Sequence, residues 1–261
     1  MSLFMIDAHR SPLSRTNALA GFAAALIISI TLLLSIDPVS AGVALALILL
    51  ALPFARLSAR QVWLRLWPIA MSAALAGVAT VLYGRPSGTV YFEWGVVRIT
   101  EGSIGLALAI VLRVLAIAIP SVVLFATTDP TDLADALAQL ARLPARFVLG
   151  ALAGLRLVGL LIDDWRELAL ARRARGVADQ GRLRRFAGQA FALFVLAIRR
   201  GSKLATAMEA RGFGSPTPRT WARESKLHGR DAVLVLLAVG IAAASVIAAV
   251  LAGTWTFVWA L

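Results

Sequence analysis

The feature that most constrains this chain is a series of apolar runs long enough to cross a bilayer, since a spanning helix needs about 20 mostly apolar residues. Residues 18–36 form such a run and contain no charge. Asp37-Pro38 breaks it, and residues 39–55 form a second, so the two predict a helical hairpin. Residues 67–83 are a third, shorter run, opened by Trp67-Pro68. Residues 84–102 read as a loop in which Tyr91, Phe92 and Trp94 suit a membrane interface. Residues 103–126 are a fourth run, interrupted by Arg113, and residues 232–253 are the last clear one, with Trp255 and Trp259 after it. The charged stretch before the first run lacks an apolar core, and no small-residue cleavage site with a soluble domain behind it follows. The first run is therefore expected to stay in place as a transmembrane helix.

Composition agrees with this. Of 261 residues 60% are hydrophobic, with a mean hydropathy of +0.83. A soluble domain is about half apolar, so the excess must face lipid. Only 15% of residues are charged, yet the net charge is +12. A nucleic-acid binder is basic without being so apolar, so no nucleic acid is expected as partner. Cysteine is absent, which excludes disulfides, Cys-ligated zinc, iron–sulfur clusters and thiol nucleophiles. The two histidines, His9 and His228, stand in no metal-ligand pattern. No metal or other cofactor is expected, and both histidines are expected to be dispensable.

Positive charge gathers on the cytoplasmic side of a membrane protein. Arg10 and Arg15 precede the first run, and Arg56, Arg60 and Arg65 separate the second from the third. Residues 127–230 hold eighteen Lys and Arg against nine Asp and Glu. With five spans, all three regions fall on one side, with the N-terminus in the cytoplasm and the C-terminus outside. Arg85 and Arg98 then lie outside, offset by Glu93 and Glu101. The expected fold is all-α: an N-terminal membrane domain of four transmembrane helices over residues 1–126, a cytoplasmic helical domain over 127–230 and a C-terminal transmembrane helix over 231–261.

Two apolar stretches in the middle segment, residues 147–162 and 186–198, are read as faces of long amphipathic helices against the membrane's inner face. Counting both as spans would carry Arg172, Arg173, Arg175, Arg182, Arg184 and Arg185 outside. Thr128-Asp129-Pro130-Thr131 resembles a helix start, with Asp132 and Asp135 in the first turn. That helix is expected to reach Leu140, and Pro144 to open a long one running to Arg175.

Two long helices end alike. Leu168, Ala171, Ala174, Arg175 and Gly176 recur 36 residues later as Leu204, Ala207, Ala210, Arg211 and Gly212, and Ile162 and Ile198 extend the match by a turn. At about 100° per residue Leu168, Ala171 and Arg175 share a face, as do Leu204, Ala207 and Arg211. Small residues there admit another backbone closely. Glycine is the usual helix stop because it accepts positive φ cheaply, so each arginine is held at a helix end. A guanidinium binds a carboxylate with two parallel hydrogen bonds, and two copies imply a dimeric or pseudo-dimeric receptor. Two readings fit: docking on such a receptor, or contact with anionic lipid headgroups. Arg172, Arg173, Arg182, Arg184 and Arg185 are expected to serve the headgroups.

The two Ala-Arg-Gly endings resemble those of the transmembrane T component of energy-coupling factor transporters, the family that includes the cobalt-transport membrane subunit. The similarity extends to Gly95-Val96-Val97-Arg98-Ile99-Thr100-Glu101-Gly102, Leu112-Arg113, Thr127-Thr128-Asp129-Pro130 with Leu133 and Leu137, Leu143-Pro144 and Arg156. Ala207-Met208-Glu209-Ala210-Arg211-Gly212-Phe213-Gly214 is the most specific stretch, and the N-terminal third matches in character only. The resemblance implies a non-catalytic subunit of an ATP-driven importer of vitamins or transition-metal ions. Its implied partners are two ABC-type ATPase subunits and a membrane-embedded substrate-binding S component. Arg175 and Arg211 are then expected to pair with acidic groove residues of the ATPases, with Ala174, Gly176, Ala210 and Gly212 permitting the close fit. The apolar faces of 147–162 and 186–198 are expected to meet the S component. Asp163 and Asp164 stand where the family usually has Glu.

Other function classes are less well served. A lipid-linked phosphotransferase needs clustered aspartates to hold metal, and the adjacent pair Asp163 and Asp164 reads as a solvated helix face near Arg166. No phosphate-binding glycine loop is present. A secondary transporter or channel acting without ATPases usually carries ionisable groups in several spans, and Arg113 alone does so clearly. A structural bond from Arg113 to backbone or to a neighbouring helix remains equally open.

Overall fold

The computed structural model describes residues 13, 16–55, 57–84, 87–94, 97–176, 181–215 and 220–255. His9, Arg10, Arg15, Arg56, Arg85, Gly95, Val96 and Trp259 lie outside them. The chain folds into two units, one of them Ala134–Ser225 and the other formed by the chain before and after it.

The larger unit contains α1 (Ala18–Leu33), α2 (Pro38–Ala51) with a short 3-10 turn at Leu52–Ala55, and α3 (Ala59–Tyr83). It continues through β1 (Val90–Trp94), β2 (Val97–Thr100) and α4 (Glu101–Thr127), and closes with α8 (Gly229–Leu251). Local chemistry sets these starts. The Asn17 side chain accepts from the Leu19 N–H at 2.9 Å. Asp37 caps α2 by accepting from the Ser40 N–H at 2.6 Å, with Pro38 in the first turn. Thr100 and Ser103 cap α4 reciprocally, the paired arrangement that satisfies two orphan donors at once.

Alanine makes up half of the core cluster of this unit. Ala24, Ala25, Ala44, Ala116 and Ala238 are buried with Ile28, Leu32, Ile48, Ile119 and Val123. In lipid the tails are as apolar as leucine, so helices associate through close packing, which small residues allow. A Cβ on Gly77 of α3 would lie 2.6 Å from Val111 Cγ2 of α4, so glycine is required for that approach. Large apolar side chains such as Leu50, Leu75 and Leu251 point outward, as a lipid-facing surface does.

The structure departs from the sequence reading in four places. β1 and β2 pair antiparallel, with Glu93 opposite Arg98 and their side chains 2.8 Å apart, where an irregular loop is expected. α3 begins eight residues earlier than its apolar run, so Arg60 and Arg65 lie in a helix and not in a loop. Charge lowers apolarity without ending a helix, and Pro68 is tolerated within α3. Five helical segments among the described residues are long and apolar enough to cross a membrane: Pro38–Ala55, Val62–Tyr83, Glu101–Thr127, Ala145–Ala174 and Gly229–Leu251. The number agrees with expectation and the membership does not. α1, at 16 residues, is shorter than a span, and a helix of the middle segment is in the set.

The shortness of α1 has a cause. Its turn into α2 meets α4 at Arg113, the middle of that helix, where the guanidinium donates to the Ser35 carbonyl. Ser35, Asp37 and Ser40 are all buried there. Arg113 therefore makes a structural bond to backbone, one of the two roles open from sequence.

The second unit contains α6 (Ala145–Ala174) and α7 (Arg182–Ala210). The division between units falls inside α5 (Pro130–Gln139). Asp129 accepts from the Thr131 N–H at 2.7 Å, and Asp132 lies in the first turn of α5 while Asp135 lies beyond it. Gln139 ties the end of α5 to the returning chain, donating to the Arg223 carbonyl at 2.8 Å and accepting from the Ser225 N–H at 2.9 Å.

Candidate functional site

Both predicted helix ends have the same geometry. α6 stops at Ala174 with Arg175 as its cap, and α7 stops at Ala210 with Arg211 as its cap. Gly176 follows at φ +67 and Gly212 at φ +76, the left-handed region that closes a helix cheaply for glycine. The Gly176 N–H returns to the Arg173 carbonyl at 3.0 Å, and that of Gly212 to the Glu209 carbonyl at 2.9 Å. At the second end the Phe213 N–H also reaches the Met208 carbonyl at 2.9 Å, completing a Schellman closure.

Exposure repeats as well. Leu168 and Leu204 are half-buried, whereas Ala171, Ala174, Arg175 and Gly176, like Ala207, Ala210, Arg211 and Gly212, are exposed. A Cβ on either closing glycine would meet open space, so each glycine is needed for its backbone angle and not for room within the chain. Each end therefore presents a cation on a strip of small side chains, exposed among the described residues. Such an end can accept an acidic, close-fitting partner.

The contact between the two helices was not foreseen. Asp164 is buried, 6% exposed, and accepts from Arg200 Nη2 at 2.8 Å. Asp163 keeps the expected solvated place beside Arg166, at 3.8 Å, but Asp164 does not. Burial between α6 and α7 requires a charged partner, and Arg200 supplies it. Arg172 is also engaged between the helices, where its Nη2 donates to the Gly188 carbonyl of α7 at 2.8 Å. Gln189, also buried, donates to the Trp165 carbonyl at 2.6 Å, and Trp165 meets Phe186 edge-on at 5.5 Å. One signal was present in the sequence: Asp164 and Arg200 are separated by the same 36 residues that relate the two helix ends.

In the larger unit, Asp231 at the start of α8 accepts from the Asn17 N–H at 2.6 Å and from the His228 N–H at 2.7 Å. Asn17 Nδ2 donates to the Lys226 carbonyl at 3.1 Å. Thr128 and Leu133, after α4, line a small cavity with Ala18 and Phe22. The chain therefore leaves and rejoins the larger unit at one end, where α1 begins. His228 sits 3.9 Å from the Asp231 carboxylate, and among the described residues no cluster of metal-ligating side chains occurs.

These features define a multi-pass, all-α membrane protein that carries two matched, exposed arginine ends on long helices. The family model described as cobalt transport protein (CbiQ) matches residues 9–220, and the chain belongs to that family. It is similar to the energy-coupling factor transporter transmembrane protein EcfT of Limosilactobacillus fermentum, 32% identical over 69% of this chain and 72% of the relative. The protein of the same name from Exiguobacterium sibiricum is 33% identical over 73% of this chain and 77% of the relative.

Proposed function

We propose that this chain is the coupling subunit of an energy-coupling factor importer, transmitting ATP-driven motion to a substrate-binding subunit for uptake of vitamins or transition-metal ions. The observation that carries the reading is the pair of helix ends at Arg175 and Arg211, alike in cap, closing glycine and exposure. Each end fits an acidic groove, and two like ends fit a dimer of ABC-type ATPases in the cytoplasm. The relatives named as transmembrane proteins of energy-coupling factor transporters support assembly with further transporter subunits. Ala174, Gly176, Ala210 and Gly212 allow the approach, while Leu168, Ala171, Leu204 and Ala207 form the supporting face.

The exposed apolar residues Phe147, Leu155, Phe191 and Phe194 serve the membrane-embedded S component, with neighbouring arginines on anionic headgroups. A segment that leaves and rejoins the membrane unit at one end crosses the bilayer an even number of times. α6 is apolar enough to cross and α7 is not among the helices that are, which favours α6 and α7 both lying along the cytoplasmic face of the inner membrane; the short α1 then crosses as the fifth span, with the N-terminus inside. The subunit itself performs no chemistry.

Reversing both charges, Arg175→Glu and Arg211→Glu, is expected to abolish ATP-driven uptake and ATPase copurification while membrane insertion persists. Survival of both in the double variant defeats the docking reading.

A further inference from the structure

Asp164 and Arg200 occupy equivalent positions under the 36-residue offset, and each precedes by eleven residues the arginine that ends its own helix. Eleven residues advance a helix by about 16 Å and bring it back to within about 20° of the same face. Asp164 thus lies on the strip of α6 that terminates in Arg175, and Arg200 on the strip of α7 that terminates in Arg211. The two strips touch through a carboxylate and a guanidinium 2.8 Å apart.

The surroundings make this contact decisive for how the helices sit together. The buried residues described in α6 and α7 are Asp164 and Gln189, both polar, and the ring contact between the helices, Trp165 on Phe186, leaves Phe186 largely exposed, so no buried apolar cluster fixes the crossing. Gln189 and Arg172 bind backbone carbonyls, which repeat along a helix and tolerate a shift of register. The ion pair joins two particular side chains and does not. Asp164 Oδ2 is buried without a hydrogen-bond partner among the described residues, so the carboxylate depends on Arg200. Removing that partner leaves a buried charge uncompensated.

We propose that Asp164 and Arg200 are the positioning pair of the coupling helices, holding Arg175 and Arg211 at one fixed separation so that displacement of one end is carried to the other. This rests on the coupling function proposed above, and its test separates the two. Because the chain has no cysteine, cysteines placed at Arg173 and Glu209 carry spin labels without background. In the isolated subunit, with no ATPase present, one narrow label-to-label distance is expected, broadened in Asp164→Asn. In the assembled transporter, Asp164→Asn is expected to keep ATPase copurification while substrate moved per ATP hydrolysed falls about tenfold. The exchanged pair, Asp164→Arg with Arg200→Asp, is expected to restore the narrow distance and most of the uptake. Arg200→Lys, which keeps the charge and needs no exchange, is expected to stay closer to wild type than Arg200→Gln.

An unchanged distance and unchanged uptake in Asp164→Asn overturns the proposal. Loss of copurification in step with uptake does so as well, as does equal loss in Arg200→Lys and Arg200→Gln. Failure of the docking reading would be seen elsewhere, in ATPase binding that survives reversal of Arg175 and Arg211.

Discussion

Between α1, α2, α4 and α8 the buried side chains are mostly apolar and many are alanine, with Ala41, Ala116 and Ala249 excluded from solvent altogether, and the buried polar groups are few: Ser40, Ser103, Asp231 and Ser245. Between α6 and α7 the buried side chains are an aspartate and a glutamine. The first kind of contact is non-directional and dense, so it resists movement wherever it is pushed. The second is directional and sparse, and it leaves long apolar faces open, including Phe147, Phe191 and Phe194. A protein that only had to sit in the membrane would need the first kind alone. The polar contact suits the coupling role proposed above, in which the helices hold their geometry.

That contrast is tested most strongly where the membrane unit itself uses a charge. Arg113→Met removes the donor to the Ser35 carbonyl and leaves Asp37 buried without its neighbouring cation. A loss of about 1.5–3 kcal/mol is expected, the range for a hydrogen bond to a charged group, read as a lower unfolding temperature of the purified subunit in detergent. Asp164→Asn should move the same midpoint much less while harming uptake more. If the two variants prove equally destabilising, the division between a contact that carries stability and one that carries position fails.

A smaller effect is expected at the helix ends. Gly212→Ala imposes a side chain at φ +76 where nothing else obstructs it, at a cost of about 1–2 kcal/mol for an L residue in the left-handed region. The cost should appear as fraying of the last turn of α7 in hydrogen exchange and as ATPase copurification weakened severalfold, with the unfolding midpoint of the membrane unit unchanged. The least effect belongs to the double variant His9→Ala and His228→Ala. The bond from residue 228 to Asp231 comes from the backbone N–H and survives the change, so uptake and thermal stability should both match wild type. A marked loss of uptake would assign these side chains a role.

Much of the molecule could be read from residue order because it depends on local rules. The apolar runs produced the helices, the Asp129-Pro130 start and the Pro144 start of α6 were correctly placed, and Gly176 and Gly212 ended their helices as glycine at positive φ must. The pairing of β1 with β2 was missed because glycines and a proline around a short aromatic stretch look alike in a loop and in a two-stranded turn. α1 was drawn too long because its apolar run continues past Leu33, and only the buried turn against Arg113 stops the helix there. Asp164 was misplaced because helical spacing puts it near Arg166, whereas its partner lies 36 residues away.

The sequence alone determined that this chain enters a membrane, that its positive charge collects in one segment, and that two helices end in the same arginine and glycine. Each of these follows from composition or from interactions within a few residues. Tertiary structure decided which charges are buried and with whom: Arg113 at the α1–α2 turn, Asp231 at the start of α8, and Asp164 against Arg200. A buried charge must be matched by whatever the fold brings beside it, and that neighbour is distant along the chain. The two arginine ends could be recognised as a pair from their spacing, but only the folded helices show what lies between them.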